Sequence, residues 1–122
     1  MLQYSTAFVA LGTSNFDLVV DFYSNLLSQQ PHPYEPKRYA QFNLLGLRLG
    51  IFQPKGSHET EFNNSARSGL SLCLEVENLE KAIALLTNMG YPPDGKINVA
   101  SHGQEIYTYD PDGNRLILHQ SS

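Results

Sequence analysis

The sequence predicts an α+β protein made of two strand-helix-strand-strand-strand (βαβββ) modules, and three features predict it. Two amphipathic helical stretches, residues 15–27 and 78–89, repeat each other 63 positions apart, so that Asn15 matches Asn78, Phe16 matches Leu79, Val19 matches Ala82 and Tyr23 matches Leu86. Each follows a strand-like run, residues 6–12 and 70–76. Each precedes several short strand-like runs separated by turn residues.

In chain order, residues 6–12 form the first strand. Phe16, Val19, Val20, Tyr23, Leu26 and Leu27 then fall on one helical face, with Ser14 and Asp17 reading as an N-cap and a shortened capping box. Residues 31–34 match a short strand, which Pro31 and Pro33 restrict to a sheet edge. Strands over 38–44 and 47–53 are joined by a Leu45-Gly46 turn. Residues 55–68 are polar, without a period, and read as a linker.

In the second half, Leu70, Leu72, Leu74 and Val76 alternate with Ser71, Cys73 and Glu75, giving one apolar and one mixed face. The helix over 78–89 carries Leu79, Ala82, Ile83, Leu86 and Met89 on its stripe, and Gly90-Tyr91-Pro92-Pro93 stops it. Strands over 97–100, 104–109 and 115–119 follow, the last two separated by Asp110-Pro111-Asp112-Gly113, the strongest turn chemistry in the chain. The organisation is one domain, 1–122, with modules at about 4–54 and 69–120.

Composition narrows the function. With 122 residues, 41% hydrophobic and 16% charged, the chain can bury a core without disulfides or structural metal. A net charge of −4 argues against nucleic acid and anionic membrane as partners. The single cysteine, Cys73, cannot form an intramolecular disulfide, and no export signal or long apolar run is visible, so the expected location is the cytoplasm. No phosphate loop, dinucleotide fingerprint or nucleophile elbow occurs.

Two motifs, Asp110-Pro111-Asp112-Gly113-Asn114-Arg115-Leu116 before the last strand and Asp21-Phe22-Tyr23 with Leu26-Leu27 on the first helix, join the repeat as evidence of kinship. With the repeat they give a chain that resembles, over nearly its whole length, the vicinal-oxygen-chelate superfamily: the glyoxalase, bleomycin-resistance and dihydroxybiphenyl (extradiol) dioxygenase fold. The resemblance implies that the modules curve into an open barrel around a cavity, where inward His and Glu side chains hold a divalent metal. Carried onto this chain, those ligand positions fall on Phe8, Gly50, Ser71 and Ile117. None of these builds a divalent site, so no metal and no cofactor are expected.

The inward positions supply a different set. Arg48, Glu75 and Arg115 are charges on the inner faces of central strands, and Ser71 and Cys73 share the cavity face of the fifth strand, Cys73 as a small buried residue rather than a nucleophile. Phe8, Phe52, Tyr39, Tyr107 and Tyr109 are aromatics able to wall a flat or apolar ligand, or to fill the space of a lost metal site. His119 shares the inward face with Ile117 and is the candidate acid or base, whereas His32, His58 and His102 read as solvated or structural.

The leading expectation is a metal-free protein that binds a small organic ligand in an aromatic-lined cavity without transforming it, similar to the bleomycin-resistance branch. One alternative is an enzyme of the glyoxalase, lyase, isomerase or dioxygenase type with an atypical metal site, or a metal-free acid-base catalyst using His119, Glu75 and Tyr107. The other is an interaction module whose cavity is filled by Phe8 and Ile117. A homodimer is expected, because small curved sheets leave edges and apolar faces to cover.

Overall fold

The computed structural model describes residues 1–122. The chain divides into two compact units, Met1–Asn63 and Asn64–Ser122. The first contains β1 (Val9–Gly12), α1 (Phe16–Leu27), β2 (Tyr34–Glu35), β3 (Tyr39–Leu44) and β4 (Leu47–Phe52). The second contains β5 (Ser71–Glu75), α2 (Leu79–Asn88), β6 (Asn98–Ala100), β7 (Gly103–Tyr109) and β8 (Arg115–Ser121). The expected βαβββ unit is therefore present twice.

Each unit holds a four-stranded mixed sheet of the same order, β1-β4-β3-β2 and β5-β8-β7-β6, and neither sheet closes on itself. The first strand of each runs parallel to the last, with Val9 opposite Leu49 in one sheet and Leu72 opposite Leu116 in the other. Leu72 is the repeat partner of Val9, so Leu116 is that of Leu49. Ile117 therefore corresponds to Gly50, as the sequence alignment of the modules requires.

Period-2 alternation decides which side of each sheet packs on its helix. In the first unit Ala40, Phe42, Leu49 and Ile51 are fully buried, together with Phe16, Val19, Val20, Phe22 and Tyr23 of α1. In the second unit Ile106, Thr108, Leu116 and Leu118 are buried with Leu79 and Leu86 of α2. Each buried large side chain contributes roughly 1.5–3 kcal/mol, so the first core, with its aromatic Phe22, Tyr23 and Phe42, is the stronger of the two. Phe22 lies off the predicted stripe and still packs edge-on to Tyr23, with ring centroids 5.0 Å apart.

Three local expectations need correction. The N-cap of α1 is Asn15, not Ser14, and the Asn15 amide donates to the Thr13 hydroxyl at 2.8 Å, which sets the entry into the helix. Only its repeat partner Asn78 caps with its side chain, accepting from the Lys81 amide at 2.9 Å. The strand expected over 31–34 is Tyr34–Glu35; it does lie at an edge, and residues 32 and 33 continue along β3 through His32 N to Gln41 O and Gln41 N to Pro33 O.

The supposed linker is also folded, as 3-10 turns at Gly56–Phe62 and Ser65–Arg67. Phe62 is the reason within the first unit. Its ring meets Phe52 edge-on at 5.2 Å and lies over Gly12, where a β-carbon would come within 2.7 Å of it. An aromatic contact two strands deep is invisible in a polar segment read by periodicity alone.

Candidate functional site

The side of each sheet turned away from its helix carries the residues singled out in the sequence. In the first unit Phe8 is 52% exposed and Arg48 is exposed, while Gly50 is buried beneath Tyr39, whose hydroxyl lies 2.9 Å from where a Gly50 β-carbon would stand. That hydroxyl donates to Gln41 Oε1 at 3.0 Å. Tyr39 and the Phe52–Phe62 pair thus cover much of this face with rings.

In the second unit the strand register sorts the face into three rows. Ser71, Arg115 and Tyr109 stand side by side on β5, β8 and β7; Cys73, Ile117 and Tyr107 form the next row; Glu75, His119 and Glu105 form the third. Rows two residues apart are separated by roughly 7 Å, so Arg115 and His119 stand about 13 Å apart along β8. One end of the face is cationic, the middle is apolar and aromatic, and the other end is acidic.

The rows are anchored by hydrogen bonds. Arg115 Nε donates to the Ser71 hydroxyl at 2.7 Å and Arg115 Nη2 to the Ser68 carbonyl at 3.0 Å. At the acidic end, Glu75 Oε2 accepts from the Ser121 amide at 2.9 Å and its hydroxyl at 2.7 Å, and Glu75 Oε1 lies 2.6 Å from His119 Nδ1. The Ser121 hydroxyl first, then His119, hold the Glu75 carboxyl below its ordinary range. A carboxylate accepts, so His119 Nδ1 carries a proton, and in the neutral ring Nε2 presents the lone pair. His102 Nδ1 stands 3.1 Å from that Nε2.

Sequence reasoning found Glu75 and His119 but not their partners. His102 comes from the β6–β7 turn and Ser121 from the strand end beyond the predicted limit at 119, and neither has a sequence-local signal. Cys73 is corrected: it is exposed on the open face, its half-buried apolar neighbours Leu72 and Leu74 lying on the other side of β5. His58 pairs with Glu61 at 2.9 Å in the 3-10 turn of the first unit.

The residues at the metal positions that the resemblance implies do not fit a divalent ion. Phe8 and Ile117 have no donor atom, Gly50 has no side chain and is capped by Tyr39, and the Ser71 hydroxyl already faces a guanidinium. No three His, Cys, Asp or Glu side chains converge on a point that could hold an ion. No helix is long and apolar enough to cross a membrane.

No family model matches the sequence, and no curated protein does. Solved structures do match. A glyoxalase/bleomycin resistance protein from Catenulispora acidiphila is 20% identical over 95% of this chain and 97% of its own, with a TM-score of 0.70. A glyoxalase-related enzyme from Fulvimarina pelagi is 17% identical over 97% and 89%, at 0.71. The fosfomycin resistance protein FosX from Listeria monocytogenes is 14% identical over 99% and 96%, at 0.76. The chain therefore has the vicinal-oxygen-chelate fold. At these identities the likeness is one of fold, and function must be argued from the site.

Proposed function

We propose that this protein binds a small organic ligand in an aromatic-lined cavity, as a bleomycin-resistance protein would, with no divalent ion at the positions its fold relatives suggest. The observation that carries this reading is the three-row face of β5, β8 and β7, where Arg115, Tyr107, Tyr109, His119, Glu75 and Glu105 stand around Ile117 and Cys73 instead of the apolar set of a packed sheet. Convergent polar groups around an apolar middle are what a small-molecule site needs: Ile117 and Tyr107 offer contact area, and the ends fix orientation. Arg115 keeps guanidinium N–H groups beyond the two that bond Ser71 and Ser68. The cytoplasm remains the proposed location, supported by the lone cysteine.

The test joins metal analysis to ligand screening. Protein purified without a His-tag should carry far less than one Mn, Fe, Ni or Zn per chain, and none of these should raise its melting temperature, since any native-state ligand must. A library of flat, charged small molecules should then contain stabilisers whose effect falls in Tyr107→Ala and Arg115→Ala. Stoichiometric metal with a stabilising shift, or stabilisers indifferent to both substitutions, would overturn the proposal.

A further inference from the structure

The geometry points to a second activity on this face: Glu75, His119 and His102 form a proton relay whose outer nitrogen, His102 Nε2, acts as a general base on small molecules with an acidified C–H, N–H or O–H group. The activity goes beyond ligand binding and does not depend on it. Its warrant is the order of the bonds. Glu75 Oε1 accepts from His119 Nδ1–H at 2.6 Å, which leaves Nε2 of the neutral His119 ring only an acceptor. The 3.1 Å contact to His102 Nδ1 is then a bond donated by His102, and the lone pair of His102 is at Nε2, on an exposed side chain. The ring centroids are 5.3 Å apart with the nitrogens at 3.1 Å. The rings therefore stand nearly end to end, along an N–H···N line rather than converging on a shared ion.

Proton flow through the chain balances without another reactant. A substrate proton goes to His102 Nε2, the His102 Nδ1 proton crosses to His119 Nε2, and the resulting His119 imidazolium sits against Glu75. The groups facing His119 are Glu75 from β5, Glu105 from β7 and His102 from the turn, so the charge arrives among carboxylates. The cation on the same strand face, Arg115, is four residues away. Such an arrangement makes Glu75 and His119 positioning residues and His102 the catalytic one.

Two features hold the relay in shape. Ser121 grips the far Glu75 oxygen through both its amide and its hydroxyl. Gly103, at φ 148°, lets the turn bearing His102 close on β8: a β-carbon there would stand 3.0 Å from His119 Nε2 and 2.2 Å from the Gln120 carbonyl oxygen. A merely solvated histidine would need neither.

The probe is the Kemp elimination of 5-nitrobenzisoxazole, in which a base takes the ring C–H proton, the C–H electrons form the nitrile, the N–O bond breaks, and the ring opens to a single coloured cyanonitrophenolate. The expected rate per site exceeds that of free imidazole at the same pH by about tenfold or more, is unaffected by EDTA, and disappears in His102→Ala. Glu75→Gln should move the rate's pH midpoint downward, because the carboxylate that stabilises the imidazolium is gone; a purely structural carboxylate would lower the rate without moving the midpoint. Nitrogen-15 spectra of the unsubstituted protein supply a readout free of folding defects, with both His102 and His119 expected as Nδ1–H tautomers. A rate at or below imidazole, an unchanged rate in His102→Ala, loss with EDTA, or an Nε2–H tautomer at either ring overturns the relay. Any of these with ligand-induced stabilisation intact would sink the relay and leave the binding proposal standing.

Discussion

The Asp110-Pro111-Asp112-Gly113-Asn114 segment is the most recognisable motif in the chain, and the structure gives it a quantitative mechanical role. Asp110 is 4% exposed, and its Oδ1 accepts from the amides of Asp112 and Asn114, each at 2.9 Å, while Oδ2 accepts from Asn114 Nδ2 at 2.7 Å. Backbone bonds from Asp110 N to Asn114 O and from Gly113 N to Asp110 O close the same turn. Bonds to a buried carboxylate are worth roughly 1.5–3 kcal/mol each, but the turn amides are half-buried and recover some water when released, so about 1 kcal/mol apiece is the reasonable net value. Asp110→Ala should therefore cost about 3 kcal/mol. With an unfolding entropy of about 2.1 cal/mol/K per residue, the chain loses near 0.26 kcal/mol per degree, which puts the drop in melting temperature at about 12 °C. Asp110→Asn keeps an oxygen for both amides, and the Asn114 amide can turn to face it, so its cost should be about 1 kcal/mol or less. Urea and thermal unfolding followed by circular dichroism measure both. A loss under about 4 °C for the alanine variant, or equal losses for the two variants, would refute the assignment of these bonds as the turn's main support.

Two further outcomes follow from the same structure. The Glu75 carboxyl lies below its ordinary value of 4.5, so its contribution to stability is fully present above that pH and disappears as pH falls through the lowered folded value. The urea midpoints of the unsubstituted protein and Glu75→Gln should accordingly differ at pH 7 and converge under strong acid; a gap that persists or widens in acid would contradict the sign. The homodimer expected from the sequence is kept as a prediction, because each four-stranded sheet presents edge strands and residues such as Leu70 and Val99 are largely exposed. Light scattering at micromolar concentration should return twice the mass of one chain, and a monomer would count against it.

What the sequence determined by itself was the repeat and the side of each strand. Helices and strands are written as periods of 3.6 and 2, so Phe16 to Tyr23 and Leu79 to Leu86 announced their buried faces. The alternation through Ser71, Cys73 and Glu75 announced the open one. The unsuitability of Phe8, Gly50, Ser71 and Ile117 as metal ligands was also legible, because it depends on side-chain chemistry alone.

Only the tertiary structure decided which open-face residues act together. Glu75, His102, His119 and Ser121 come from β5, a turn and two points on β8, and what joins them is strand register and the close approach allowed by Gly103. Phe62 meets Phe52 and Gly12 for the same reason. Local sequence carries a residue's preference for a face, whereas a hydrogen-bonded cluster needs distances between segments tens of residues apart, and those are set only once the sheet has paired.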